Sequence, residues 1–197
     1  MSDRETLKAR VLLLSGSLRY PSHTFTNLKQ MQSLLRKYGA GTYLWNLFSD
    51  PLPILNPKYY RNPHMNKYEV VRHLARLAEL ADAFVWGTPV YHNSFSGILK
   101  NALDNLNIQQ FRNKPVALIS NGGIHSYAES CDQLRIVARG LLAITIPTQV
   151  VTVDSDFEYF QGRFVIVNPL INDNLARLTE ELIAYSLSLR QLRTERS

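Results

Sequence analysis

Five short runs rich in β-branched, aromatic and aliphatic residues, at 10–15, 42–47, 82–87, 115–120 and 148–153, alternate with stretches whose apolar residues recur every three to four positions. The helical faces are Phe25, Leu28, Met31, Leu35 and Tyr38; Val70, Leu74, Leu77 and Ala81; Ile98, Ala102 and Leu106; Cys131, Leu134, Ala138 and Leu141; and Leu175, Leu178, Leu182, Tyr185 and Leu189. Period-3.6 segments each bury one stripe, whereas runs that are apolar on both sides of the pleat must be covered from both faces. A strand–helix alternation of this kind predicts an α/β fold: a five-stranded parallel sheet between two helix layers, joined by right-handed crossovers.

The length of 197 residues suits one such unit, so residues 1–197 are read as a single domain. No apolar run approaches the roughly 20 residues of a membrane span. The opening segment, "MSDRETLKAR", is polar and lacks an apolar signal core, which leads us to expect a cytoplasmic protein with no membrane partner. A formal charge of +6 raises nucleic acid as a partner, but the basic residues are scattered and not interleaved with aromatics, so a solvated surface is the better reading. The one cysteine, Cys131, sits in a helical apolar pattern and reads as a buried thiol. Residues 48–66 carry Pro51, Pro53, Pro57 and Pro63 and predict a long ordered loop, which covers a ligand, packs on a second subunit, or is a surface detour.

Ligands of open parallel sheets gather beyond the carboxyl ends of the strands. Three segments leave those ends with unusual composition: "SGSLRYPSHT" from Ser15, "GTPVYHNSFSG" from Gly87 and "SNGGIHS" from Ser120. The first offers the hydroxyls of Ser17, Ser22 and Thr24, the guanidinium of Arg19 and the free amides of a helix start, a set suited to phosphate. It has neither the Walker A nor the G-x-G-x-x-G pattern, which favours a monophosphate over a nucleoside triphosphate or dinucleotide. The competing reading is that Ser22 or Thr24 simply caps the helix. The second loop, with Pro89, Val90, Tyr91, His92, Asn93 and Ser94, can border a flat aromatic ligand. No carboxylate stands near His92, so an edge contact is a better reading of it than acid–base catalysis. In the third, Asn121, Gly122 and Gly123 let the backbone approach a ring closely, since glycine has no Cβ.

These motifs together, "GSLR..S.T", "TPVYHNSFSGILKNALD", then "GG", "QLR" and "IPTQV", resemble the NADPH-dependent FMN reductase family of flavodoxin-like proteins from about Val11 to Val153. The resemblance implies a flavodoxin-like three-layer sandwich with strand order 2-1-3-4-5. It further implies bound FMN, with NADPH or NADH as co-substrate. The phosphate would lie at Ser17, Arg19, Ser22 and Thr24, and the isoalloxazine ring between Pro89–Ser94 and Asn121–Gly123. Many relatives have Asn directly after the tyrosine; this chain has His92 and then Asn93. The helix "ESCDQLRIVARGLL" lacks the extra aromatic residue of members that release flavin, which favours tight retention.

The family also implies a small-molecule electron acceptor, drawn from free flavin, quinones, azo compounds and metal oxyanions, and a homodimer or homotetramer. Lys58 and Arg61 are weak candidates for the NADPH 2′-phosphate. No protein acid–base pair is then required, because FMN carries the hydride chemistry. Two rival readings are an FMN-binding electron carrier and a phosphate-binding regulatory domain without redox activity.

Overall fold

The computed structural model describes residues 9–124 and 128–194, with side chains described as far as residue 190. Five parallel strands, β1 (Arg10–Ser15), β2 (Gly41–Asn46), β3 (Ala83–Pro89), β4 (Pro115–Gly122) and β5 (Ile144–Val153), pair in the order β2-β1-β3-β4-β5. The helices are α1 (His23–Lys37), α2 (Glu69–Leu80), α3 (Gly97–Asp104), the single turn α4 (Ile108–Phe111), α5 (Glu129–Gly140) and α6 (Pro169–Thr194).

The pleat sorts the strand residues onto two faces. Leu12 and Leu14 of β1 join Phe84, Trp86, Val116 and Leu118 beneath α2, α3 and α5. Their neighbours Val11 and Leu13 join Val85, Ala117 and Ile119 beneath α1 and α6. Both layers of helices are therefore anchored by alternate residues of the same strands, which is the three-layer sandwich expected.

Several boundaries move for local reasons. In α2 the fully buried residues are Val71, Leu74, Ala75 and Ala78, while Val70 and Leu77 are only partly buried. The buried stripe is thus Val71, Leu74, Ala75 and Ala78, where two small alanines allow close approach to the sheet beside two larger residues, and Val70 and Leu77 lie at its edges. Strand β5 begins at Ile144, ahead of the expected 148, and its pairing with β4 shifts register between Val116 and Leu118. Pro147, which has no N–H for the ladder, lies in the excess chain at that irregularity. Arg135 of α5 supplies the missing donors, reaching Ile146 O and Pro147 O, each at 2.9 Å, and Gln149 Oε1 at 2.8 Å.

An antiparallel hairpin unforeseen in the sequence follows β5: β6 (Phe157–Phe160) and β7 (Arg163–Ile166). It turns at Gln161 and Gly162, with φ of 47° and 80°, the left-handed pair that two-residue hairpin turns require.

Candidate active site

The strand order reverses direction at β1, between β2 and β3, and the loops leaving β1 and β3 open there. Gly16 holds these two loops together: its N–H donates to Gly87 O at 2.8 Å, and its carbonyl accepts from Ser96 Oγ at 2.6 Å. A Cβ on Gly16 would stand 2.8 Å from Leu99 Cβ, so only glycine permits this approach. Ser96 also caps α3, accepting from Leu99 N. The next link runs from Val90 N to Asn121 O at 2.8 Å, and Asn121 Nδ2 reaches Asp154 Oδ1 at 3.3 Å. The ends of β1, β3, β4 and β5 are thus stitched into one rim.

That rim encloses a cleft of about 380 Å3 lined by Ser17, Arg19, Ser22, Thr24, Pro89, Val90, Tyr91, Asn121, Gly122 and Gly123 among others. Ten of the residues singled out from the sequence therefore meet in one place. His92, Asn93 and Ser94 do not line it. His92 and Asn93 have φ of 50° and 61° and form a tight turn closed by reciprocal hydrogen bonds between Tyr91 and Ser94. Gln133 of α5 fastens that turn, accepting from Ser94 Oγ at 2.5 Å and donating to Asn93 O at 3.0 Å. His125 and Ser126, at the end of the third loop, lie outside the described residues.

The end of the cleft at the start of α1 has the donors an anion needs. Ser22 is the N-cap of α1, accepting from Phe25 N at 3.2 Å, and Ser17 Oγ accepts from Arg19 N at 3.2 Å. Each hydroxyl uses a lone pair in this way and keeps its proton for a ligand. The first amides of α1, at His23 and Thr24, have no intrahelical acceptor, as at any helix start. Arg19 pairs with no carboxylate among the described residues. Capping, the competing reading of these residues, is present here and leaves the Ser22 hydroxyl proton unused.

Four lining residues were not singled out in the sequence: Pro21, His23, Asp154 and Phe164. His23 Nδ1 lies 3.0 Å from Asp154 Oδ1, and its ring stacks on Phe157 at 4.3 Å and against Phe164 at 4.0 Å. Burial holds this imidazole below the ordinary histidine pKa; Asp154 pulls upward, and Arg19 adds to the lowering.

A second cleft of about 550 Å3 adjoins the first at Tyr91. Leu18, Leu47, Pro51, Leu52, Ile54 and Ile98 wall it. Of its polar side chains, Ser96 is committed to Gly16, and Asn101 to Leu55 N at 3.0 Å and Pro53 O at 3.0 Å. The proline-rich loop is therefore pinned to α3 by Asn101, and it forms one wall of this cleft. Lys58 and Arg61 line neither cleft.

Residues 9–158 match the family model for NADPH-dependent FMN reductase. This chain belongs to that family. It is accordingly an FMN-dependent NAD(P)H oxidoreductase. The reductase is 32% identical over 175 residues to an FMN-dependent NADPH-azoreductase of Staphylococcus saprophyticus, covering 88% of this chain and 93% of the relative. It is 37% identical over 147 residues to a protein of the same description from Staphylococcus aureus, covering 74% and 78%. Among solved structures it resembles FerB, an NAD(P)H:(acceptor) oxidoreductase of Paracoccus denitrificans, with a TM-score of 0.72 at 20% identity over 90% and 97% of the two chains. A flavodoxin from Streptococcus pneumonia aligns with a TM-score of 0.57 at 14% identity over 89% and 97%. At these identities the structural matches establish the flavodoxin-like fold.

The residues present fit FMN. Hydroxyls, a guanidinium and helix amides converge at one end of the cleft, and Gly122 and Gly123 leave backbone open at the other. Cys131 of the reductase packs in the core on the α5 side, and burial pushes its thiol up to about 11. The thiolate is the reactive form, so at neutral pH Cys131 is expected to resist a disulfide reagent such as DTNB until the protein is unfolded. Titration of the native protein at the unfolded rate would contradict this.

Proposed function

We propose that this reductase passes hydride from NADPH, held over FMN in the cleft at the β1/β3 switch, to a planar aromatic acceptor of the azo type. The observation that carries the reading is the convergence of ten separately chosen residues on one cleft, beside a second cleft whose wall is apolar. Ser17, Arg19, Ser22 and Thr24 would bind the phosphate. Pro89, Val90 and Tyr91 would face one part of the ring and Asn121, Gly122 and Gly123 another, with backbone N–H groups meeting the ring's polar edge. His92, Asn93 and Ser94 would act indirectly, through the turn that fixes Tyr91.

Bound FMN supplies the redox chemistry, taking a hydride from the nicotinamide and passing two electrons on to the acceptor. The protein's contribution is alignment and exclusion of water, which can supply much of the acceleration in such a transfer. No protein proton donor is needed, since the accompanying protons come from solvent.

The apolar wall of the second cleft supports this acceptor class. A planar aromatic acceptor would find apolar surface there on Leu18, Pro51, Leu52, Ile54 and Ile98, and no cationic side chain lines that cleft among the described residues to draw in an oxyanion. The relatives named as azoreductases support the same choice. Leu18, Tyr20, Phe48, Ile54 and Tyr91 form an exposed apolar border, which supports a homodimer or homotetramer covering the site. One FMN-binding domain acting in the cytoplasm, where its NADPH donor is found, completes the reading.

Anaerobic stopped-flow mixing with NADPH and with NADH, followed by azo dye, quinone, free flavin and chromate, tests it. The expected result is bleaching of the flavin by NADPH and reoxidation by azo dye or quinone at least about tenfold faster than by chromate. Flavin that binds but is not bleached by either nucleotide would leave an electron carrier instead. Faster reoxidation by chromate would overturn the acceptor class.

A further inference from the structure

The pair His23–Asp154 joins the two ends of the cleft and has no counterpart among the roles above. His23 stands in the first turn of α1, between Ser22 and Thr24, and lines the same cleft as Arg19. Its ring is held by two aromatic neighbours, stacked on Phe157 of β6 and tilted against Phe164 of β7. Asp154, at the end of β5, is bound to its Nδ1 at 3.0 Å. A carboxylate only accepts, so Nδ1 carries the proton and Nε2 is left as the site where a second proton would reside. The side chain is 17% exposed, against 80% for Asp154, so the imidazole is held in place while its counter-charge faces water.

In this arrangement Arg19 and His23 act on each other electrostatically, and Arg19 disfavours a proton on the imidazole. Arg19 and Asp154 are the charged groups acting on His23 among the described residues, and Asn121 of β4 meets it only through the shared Asp154 oxygen. A dianion placed between two groups that repel each other when both are charged reverses the balance. Attraction to the phosphate then exceeds the repulsion from the guanidinium, and Asp154 is already in place behind the ring to stabilise an imidazolium.

We propose that His23 is a phosphate-positioning residue that takes up a proton when FMN binds, its Nε2–H donating to the phosphate while Asp154 holds Nδ1. The proposal rests on the FMN reading of the cleft. It adds that this chain couples flavin retention to pH at the phosphate rather than at the ring. The proton comes from solvent and no covalent bond changes. Because the bound form is the more protonated one, the added affinity is full below the pKa of His23 in the free protein. It is lost as pH rises through the higher pKa of the complex.

Calorimetric titration of the flavin-free protein with FMN and with riboflavin, in buffers of different ionisation enthalpy at pH 7.5, reads the proton directly. At that pH the free phosphate is already largely a dianion, its second pKa being about 6. Uptake is expected with FMN and absent with riboflavin, which has no phosphate. H23N should abolish it while leaving riboflavin affinity intact, and D154N, at an exposed position, should diminish it. The ratio of FMN affinities, wild type over H23N, should fall about tenfold from pH 6.5 to 8.5. Equal uptake by wild type and H23N, or uptake with riboflavin, would overturn the role of His23 with the FMN site left standing. Should H23N fail to fold, D154N decides: undiminished uptake counts against the proposal. Protein that binds no FMN, seen as an unshifted flavin spectrum, would remove both readings together.

Discussion

Replacing Arg19 by alanine is expected to weaken FMN binding roughly 30- to 150-fold, the equivalent of about 2–3 kcal/mol for a lost hydrogen-bonded charge pair. Riboflavin binding should change little. The difference arises because the guanidinium projects from the β1 loop into the cleft without a protein carboxylate among the described residues, and so is available to the phosphate. Its loss leaves the loop's own architecture in place: Gly16 stays tied to Gly87 and Ser96, and Ser22 still caps α1. Fluorescence quenching of the two flavins in parallel measures both affinities. Equal losses would show that Arg19 acts by supporting the loop.

The largest effect on stability is expected from Trp86→Ala. Trp86 is wholly buried in β3, meets the Phe111 ring edge-on at 5.6 Å, and sits in the cluster with Leu12, Leu14, Phe84 and Leu118. Its indole N–H has no hydrogen-bond partner among the described residues, so the substitution removes packing and leaves no orphaned acceptor among them. Truncating a buried tryptophan costs about 3–5 kcal/mol, and for a chain of this length each kcal/mol lowers Tm by roughly 2–4 °C. Thermal unfolding followed by circular dichroism should therefore show a drop of roughly 6–20 °C. Added FMN should restore part of it by binding only the folded state. A loss below about 1 kcal/mol would mean that neighbours collapse into the space.

The sequence reading and the structure agree where one local pattern decides the outcome. Residues such as Val11 to Leu14, apolar on both faces, could only become an interior strand, and the periodic stretches after each run could only become covering helices. The buried stripe of α2 differs from the sequence reading because hydrophobicity alone weights Val70 and Leu77 above Ala75 and Ala78, whereas the helix is turned so that Val71, Leu74, Ala75 and Ala78 face the sheet. The β6–β7 hairpin escaped notice since its strands are four residues each, and its turn is Gln161–Gly162 where Asn–Gly is the usual signal.

The same division runs through the site. Hydroxyls, an arginine and glycines placed directly after buried strands carry their chemistry in their own segments, so Ser17, Arg19, Ser22, Thr24 and Asn121–Gly123 were legible before any contact was known. Parallel topology then brings all such segments to one sheet edge, and the motif order identifies the family. His23 is different. It stands inside a quoted motif, yet as a lone residue it carries no instruction. Its meaning depends on Asp154, Phe157 and Phe164, which reach it only because β5 ends beside the start of α1 and the hairpin folds back over it. His92 illustrates the converse: chemically suggestive in the sequence, it falls on a left-handed turn that lies outside the cleft. Sequence by itself determined the layers, the strand edge and the clustering of residue types suited to a phosphate, because these follow from periodicity and from groups on one short segment. Tertiary structure alone decided which side chains share the cleft and which charges act on one another, because those depend on distances between residues far apart in the chain.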